Sequence, residues 1–168
     1  MDQLWCPTDQ SSILRIESVA RHFTSQISGL AELGYWERLQ TLRLYSQERR
    51  RERYRIIFIW KVLQGHVQGY HITSHKNPRR GRIVEPAKYP SHAPAPVRNA
   101  REASLTVHGA KLFNLVPREI RDISTGTVDM FKGRLDAWLE SIPDQPTTPG
   151  RQRAALTNSL IDQAVYSS

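Results

Sequence analysis

The sequence predicts a mainly α-helical protein with a small antiparallel β-ribbon in its middle, an α+β fold in which helices dominate. Apolar residues recur at three- and four-residue spacing in several segments, which is typical of helices that bury one face. Residues that favour helix ends stand at the borders of these segments. Between them, residues 66–100 are rich in Pro and Gly and include brief apolar alternation of the β type.

Three helices are predicted in the N-terminal part. The first lies in TDQSSILRIESVARHFTSQI, with Thr8 or Asp9 as N-cap and Gly29 near its end. Its predicted apolar stripe consists of Ile13, Ile16, Val19, Ala20, Phe23 and Ile27. The second helix lies in AELGYWERLQTLRL. The third is predicted from about Gln47 to Gln64, with Ser46 as its N-cap.

The middle segment, residues 66–100, is predicted to be an irregular basic loop, since its prolines and glycines exclude a long helix. The two alternating stretches GRIVEP and ASLTVHG are predicted to pair as the ribbon. Helical character returns in AKLFNLVPREIRDI, where Pro117 forces a break or a new helix start. A further helix in TGTVDMFKGRLDAWLESI is predicted to be capped by Ser124 or Thr125 and ended by Pro143.

Two segments are therefore expected. Residues 1–143 form a single helical domain, and residues 144–168 form a linker and a loosely attached C-terminal helix.

Charge and cysteine content restrict the class of partner and compartment. The formal net charge of +8 favours a polyanionic partner such as RNA or DNA, because each neutralised phosphate releases counterions. The single cysteine, Cys6, cannot form an intramolecular disulfide, which favours an intracellular location, nucleus or cytoplasm. The start of the chain has no secretory signal pattern. The longest apolar run is too short to span a membrane, so we expect no membrane association.

The basic residues fall into two groups that are predicted to bind nucleic acid. One lies on the first half of the third helix, and the other lies in the basic loop and just beyond it. The predicted contact residues are Arg49, Arg50, Arg51, Arg53, Lys76, Arg79, Arg80, Arg82, Arg98 and Arg101. Arginine forks suit phosphate oxygens, and no base-reading module is present, so the expected binding is sequence-tolerant and salt-sensitive. The alternative is a solvated charged face in which Glu48 and Glu52 pair with the arginines.

Four stretches carry a family resemblance in collinear order: QLWCPTDQSSILRIESVARHFTSQI, LGYWERLQTLRLYSQERRRERYRIIFIWKVLQG, VRNAREASLTVHGAKLFNLVPREIRDISTGTVDMFKGRLDAWL and IPDQPTTPGRQRAALTNSLIDQAVY. Together they resemble the C-terminal region, after palm and thumb, of the reverse transcriptases of jockey-like non-LTR retrotransposons. The resemblance implies a fragment of an RNA-directed DNA polymerase that supports nucleic-acid binding during target-primed reverse transcription. Its implied partners are RNA, DNA or their heteroduplex, and an upstream polymerase domain.

No enzymatic activity is expected of the chain itself. Nucleotidyl transfer needs carboxylates that hold two metal ions, and no adjacent aspartate pair occurs in the 168 residues. Asp122, Asp129 and Asp136 recur every seven residues, which is typical of a solvated helix face. The histidines at 66, 71 and 75 lack the further ligands of a zinc site, so no metal, cofactor or catalytic residue is predicted.

A second hypothesis remains open from the sequence. The chain is then an inert relic, or a repurposed helical protein-interaction module without nucleic-acid function.

Overall fold

The computed structural model describes residues 10–88, 90, 92–145 and 158–166 of the chain. Eight α-helices, a two-stranded antiparallel sheet and a π-helical turn, Leu105–Gly109, occur in these ranges. The helices are α1 (Gln10–Ser25), α2 (Tyr35–Thr41), α3 (Gln47–Leu63), α4 (Ala95–Glu102), α5 (Ala110–Leu115), α6 (Arg118–Arg121), α7 (Val128–Glu140) and α8 (Leu160–Tyr166), and the strands are β1 (Ser74–Asn77) and β2 (Gly81–Val84). The predicted mainly helical α+β fold class is confirmed. The predicted caps Thr8 and Asp9 lie outside the described residues.

The chain divides into two compact units, and the boundary falls inside α3 between Arg51 and Glu52. The first unit includes Glu52–Ile142, and the second includes the described residues of 5–51 and 143–168. This grouping differs from the predicted single domain over residues 1–143. The physical reason is that Asp144 and Asn158 hydrogen-bond with Ser46, and Leu160 is buried, so the residues around α8 pack with the start of α3.

The core of the first unit is built on the apolar half of α3. The buried residues there are Ile56, Ile57, Ile59, Trp60 and Val62. The indole of Trp60 stacks on Phe131 of α7 with ring centroids 4.7 Å apart, and its Nε1 donates to the carbonyl of Ile123 at 3.0 Å. Leu112 and Phe113 of α5 and Leu135 and Leu139 of α7 are also fully buried.

The start of α3 follows the prediction closely. Helix α3 begins at Gln47, and the Oγ of Ser46 accepts the backbone N–H of Arg49 at 3.1 Å, so the predicted N-cap is confirmed. The helix ends at Leu63, and Gly65 has a φ of 74°, the left-handed conformation that often follows a helix.

The buried face of α1 was predicted wrongly at two of its six positions, while the other four are half-buried. Val19 and Phe23, expected in the apolar stripe, are 71% and 68% exposed, whereas Glu17 and Thr24 are buried. The reason is that α1 meets α2 through polar contacts. The hydroxyl of Tyr35 donates to the Glu17 carboxylate, and the Nε of Arg38 donates to the Oγ1 of Thr24 at 3.2 Å. Burial and the Glu17 carboxylate raise the pKa of Tyr35 well above its usual range.

The predicted partner of the GRIV strand was also wrong. Strand β2 pairs with β1, the segment SHKN, with Lys76 opposite Arg82, and not with ASLTVHG. Leu105–Gly109, within ASLTVHG, instead forms the π-helical turn that leads directly into α5. A short turn brings β1 beside β2 because the Oδ1 of Asn77 accepts the N–H groups of Arg79 and Arg80 at 2.9 and 3.0 Å.

The boundaries around α6 and α7 complete the comparison. Helix α6 begins directly after Pro117, which confirms the predicted new helix start. The N-cap of α7 is Thr127, whose Oγ1 accepts the N–H of Met130, so the predicted caps Ser124 and Thr125 were wrong by two or three residues. No helix in the described ranges combines the length and the apolar character that crossing a membrane requires.

Candidate nucleic-acid interface

The candidate interface is the hairpin of β1, the turn at residues 78–80 and β2, which we call the basic hairpin. It carries four of the predicted contact residues: Lys76, Arg79, Arg80 and Arg82. Lys76, Arg79 and Arg80 are exposed, and Arg82 is half-buried. The structure therefore brings together, on one short ribbon, the basic residues that the sequence placed in an irregular loop.

Side chains in and next to helix α6 bind the backbone of this hairpin. The Nη1 and Nη2 of Arg121 donate to the carbonyls of Arg82 and Arg80, each at 2.6 Å. The Nη1 of Arg118 donates to the carbonyl of Pro78 at 3.2 Å, and the Oδ1 of Asp122 accepts the N–H of Arg82 at 2.7 Å. We call Arg118, Arg121 and Asp122 the α6 brace. Because the brace fixes both backbone donors and acceptors, it holds the turn in one conformation and leaves the side chains of the turn exposed.

Gly81 lets the brace approach the hairpin. Its φ of +75° is in the left-handed region, and a Cβ there would lie 2.6 Å from the Cγ of Arg118 and 2.7 Å from the Oδ2 of Asp122. Both the conformation and the close approach therefore require glycine. The packing of Arg118 and Asp122 therefore requires glycine as the first residue of β2.

The brace also balances the charge of the hairpin. Lys76 and Arg82 are directly opposite in the ribbon, an arrangement of like charges that destabilises a strand pair. Asp122 lies beside them. Burial raises the pKa of its carboxyl. This effect is outweighed by the hydrogen bond from the Arg82 N–H, by the hydrogen bond and charge of Arg118, and by the charge of Lys76, so the pKa is below its usual value. Asp122 is therefore an anion at neutral pH and offsets this repulsion.

Burial acts in the opposite sense on Arg121. The residue is 7% exposed, and this desolvation lowers the pKa of its guanidinium. Its donors point to carbonyls rather than to carboxylates. Arg121 therefore has a positioning role in the hairpin and is not itself a surface contact.

Two further predicted contacts lie on α4. Arg98 and Arg101 are exposed and three residues apart, so they are neighbours on one helix surface. Helix α4 has no buried residue, and it belongs to the same unit as the basic hairpin.

The arginine run of α3 does not form a continuous basic surface. Arg49 is fully buried, and its Nη2 donates to Gln163 Oε1 at 3.0 Å and to the carbonyl of Pro143 at 3.2 Å. Its predicted phosphate contact is therefore corrected to a structural role. The side chain of Arg53 is 17% exposed and forms a two-point ion pair with Asp136. Arg50 is exposed and Arg51 is half-buried.

The α6 brace was missed in the sequence. Arg118 and Arg121 were interpreted only as part of a helix that restarts after Pro117, and Asp122 was grouped with Asp129 and Asp136 on a solvated helix face. That grouping was wrong for Asp122, which accepts the N–H of Arg82, and for Asp136, which pairs with Arg53. The available signal was the segment PREIRD. Its proline marks the start of a helix, and residues three or four positions apart on a helix lie on one face. In the described ranges, no group of three or more residues is arranged to hold a metal ion.

Comparison with known proteins gave no relative from which a role could be transferred. No family model matches the chain, and no curated protein or solved structure matches it. The resemblance to retrotransposon reverse transcriptases thus remains a prediction.

Proposed function

We propose that this chain is a non-catalytic, sequence-tolerant nucleic-acid-binding module, and that the basic hairpin is its principal contact. The observation that carries the proposal is a turn whose exposed charged side chains are all cationic, on a backbone fixed by the three side chains of the α6 brace. Fixing the backbone beforehand reduces the entropy that binding would otherwise cost.

The chemistry of the hairpin favours phosphate over bases. The turn presents arginine forks, which match phosphate oxygens, and residues 74–84 include no Phe, Tyr or Trp. The large aromatic platforms that usually stack on bases are therefore absent from this ribbon, and we expect base identity to have little influence on the affinity. RNA, DNA and their heteroduplex all present the phosphates that this contact requires.

The biological setting rests on the family resemblance. In a jockey-like non-LTR retrotransposon, such a module would hold template RNA, target DNA or their heteroduplex beside an upstream polymerase domain during target-primed reverse transcription. The absence of an adjacent aspartate pair from the sequence supports a binding role rather than polymerase activity for this chain.

The test is the salt dependence of binding to a single-stranded RNA of about 20 nucleotides, with DNA and heteroduplex in parallel. The variant R79Q/R80Q removes the two tip arginines. The matched control R15Q/R134Q removes two exposed arginines outside the predicted contacts. Each phosphate contact to a single strand contributes about 0.7 to the slope of log K against log salt. We expect the tip variant to lower this slope by about 1.4 and to weaken binding about 20-fold at 0.1 M salt.

The control should leave both quantities nearly unchanged. Equal losses in the two double variants would contradict a hairpin contact and would indicate a diffuse charge effect. Undetectable or salt-independent binding by the wild-type chain would contradict the function itself and would favour the relic or the protein-interaction module.

A further inference from the structure

The outward edge of β2 is completely hydrogen-bonded by side chains. In an antiparallel pair, the N–H and C=O groups of alternate residues point away from the partner strand, and on β2 these belong to Arg82 and Val84. Asn114 pairs with Val84 like a short strand, since its Oδ1 accepts the N–H at 2.9 Å and its Nδ2 donates to the carbonyl at 2.8 Å. Asp122 and Arg121 bind the two groups of Arg82 at 2.7 and 2.6 Å.

The outward edge of β1 is open. Ser74 lies opposite Val84 and Lys76 lies opposite Arg82, so the same alternation directs the N–H and C=O groups of Ser74 and Lys76 away from β2. Both residues are exposed. Within the described residues, no backbone group or side chain hydrogen-bonds to this edge of β1. Four backbone groups therefore face solvent in the geometry that an additional strand would use.

The charges along β1 define which strand would fit. Lys76 and Arg82 are neighbours on one face of the ribbon. A second copy of this chain pairing through β1 would bring the same cations together, which is unfavourable. Lysine and short length are also features that protect edge strands from indiscriminate pairing. A strand with carboxylates near Lys76 avoids this repulsion and gains attraction, so charge selects the partner.

We propose that the outward edge of β1 binds an extended acidic peptide segment of a partner protein, which adds to the ribbon as a third strand. A two-stranded ribbon is of marginal stability alone, so the third strand would also stabilise the hairpin. This interaction goes beyond the nucleic-acid function. It depends on the backbone of Ser74 and Lys76, whereas phosphate binding depends on the cationic side chains of the hairpin and is tested at Arg79 and Arg80.

The test uses the full chain and the synthetic peptide acetyl-TEVEVET-amide, with amide hydrogen exchange as the readout. At a peptide concentration about ten times its Kd, exchange at the Ser74 and Lys76 amides should slow about tenfold. The control peptide has the same sequence with every amide nitrogen methylated, so it keeps its charges and loses its donors. It should give no such protection.

Variants of β1 test the same contact from the protein side. S74P removes one outward N–H and should weaken peptide binding about tenfold, whereas S74A keeps that N–H and should bind like the wild type. Protection of the His75 and Ile83 amides, which form an inward pair, reports whether the S74P hairpin is intact. K76E should weaken binding of the acidic peptide about fivefold.

Three results would overturn the proposal. One is peptide-induced change confined to Arg79 and Arg80 without protection at Ser74 and Lys76, which indicates ionic binding only. Another is equal binding of the methylated peptide. The third is protection of the β1 amides that rises with protein concentration in the absence of peptide, which makes a second copy the occupant. None of these outcomes depends on whether R79Q/R80Q changes RNA binding, so the two proposals fail separately.

Discussion

Arg49 and Arg50 are neighbours in the arginine run, and the structure predicts that replacing them has very different effects. Arg49 is fully buried among residues of the second unit, and Arg50 is exposed. We expect Arg49→Gln to lower the free energy of unfolding by about 3 kcal/mol. Arg50→Gln should change it by less than about 0.5 kcal/mol, as is usual for a surface substitution.

The magnitude follows from the contacts of the guanidinium. Its Nη2 donates to Gln163 at 3.0 Å and to the Pro143 carbonyl at 3.2 Å, and hydrogen bonds of a charged group are worth about 1.5–3 kcal/mol each. Breaking a buried ion pair costs about 3–5 kcal/mol when it leaves a charge without compensation. Asp144 is 4.0 Å from the Nε of Arg49 and keeps its hydrogen bonds from Ser46, so the lower end applies.

Urea and thermal unfolding, each followed by circular dichroism, compare the two variants directly. For a chain of 168 residues, 3 kcal/mol corresponds to a fall in Tm of about 6–12 °C. The binding assay adds a second measurement, since Arg49→Gln should leave the salt slope of the folded protein unchanged. Equal stability of the two variants would refute the structural role of Arg49. A lower salt slope for Arg49→Gln would indicate that Arg49 contacts phosphate.

Three further substitutions test the other contacts. Gly81→Ala should destabilise the hairpin by about 2 kcal/mol, because it places a Cβ at a φ of +75° against Asp122; unchanged exchange of the hairpin amides would argue against the close approach. Asp122→Asn should cost about 1–2 kcal/mol at pH 7. Because the folded pKa of Asp122 is lowered, its contribution is fully present above the unfolded pKa of about 3.9 and is lost as pH falls through the folded pKa. The stability difference from the wild type should therefore shrink in acid titrations between about pH 5 and pH 2, and a constant difference would contradict an ionised Asp122. Tyr35→Phe should cost about 1–2 kcal/mol in thermal unfolding, because Glu17 loses one buried donor; an unchanged Tm would contradict that bond.

The fold could be predicted from sequence where apolar periodicity and backbone caps act locally. Helix α3 is the clearest case, since Ser46 caps it as predicted and its apolar half is buried. Helix α1 shows the limit. Two residues of its predicted apolar stripe, Val19 and Phe23, are exposed, whereas Glu17 is buried and accepts a hydrogen bond from Tyr35 of α2. The periodicity of apolar residues does not predict hydrogen bonds between the side chains of two helices.

The candidate site shows a similar division. The basic residues of the hairpin were identified by composition, and Lys76, Arg79 and Arg80 are exposed, whereas Arg82 is half-buried. Composition does not show that Arg49 is buried and Arg50 exposed, because the surroundings of Arg49 include Asp144, almost one hundred residues later in the chain. The predicted pairing of GRIVEP with ASLTVHG was wrong for a related reason. The strand SHKN has no apolar alternation, and its pairing is fixed by the Asn77 turn.

Arg121 donates its hydrogen bonds to backbone carbonyls and not to a carboxylate, and this affects the electrostatic potential around the turn. Arg121 is bound to the carbonyls of Arg80 and Arg82, and the nearby carboxylate of Asp122 is paired with Arg118. The brace contains two arginines and one carboxylate, so it adds positive charge beside the turn without touching a ligand. Such a field raises the rate at which an anionic polymer encounters the surface. The residue that fixes the shape of the hairpin thereby also extends the distance over which it attracts phosphate.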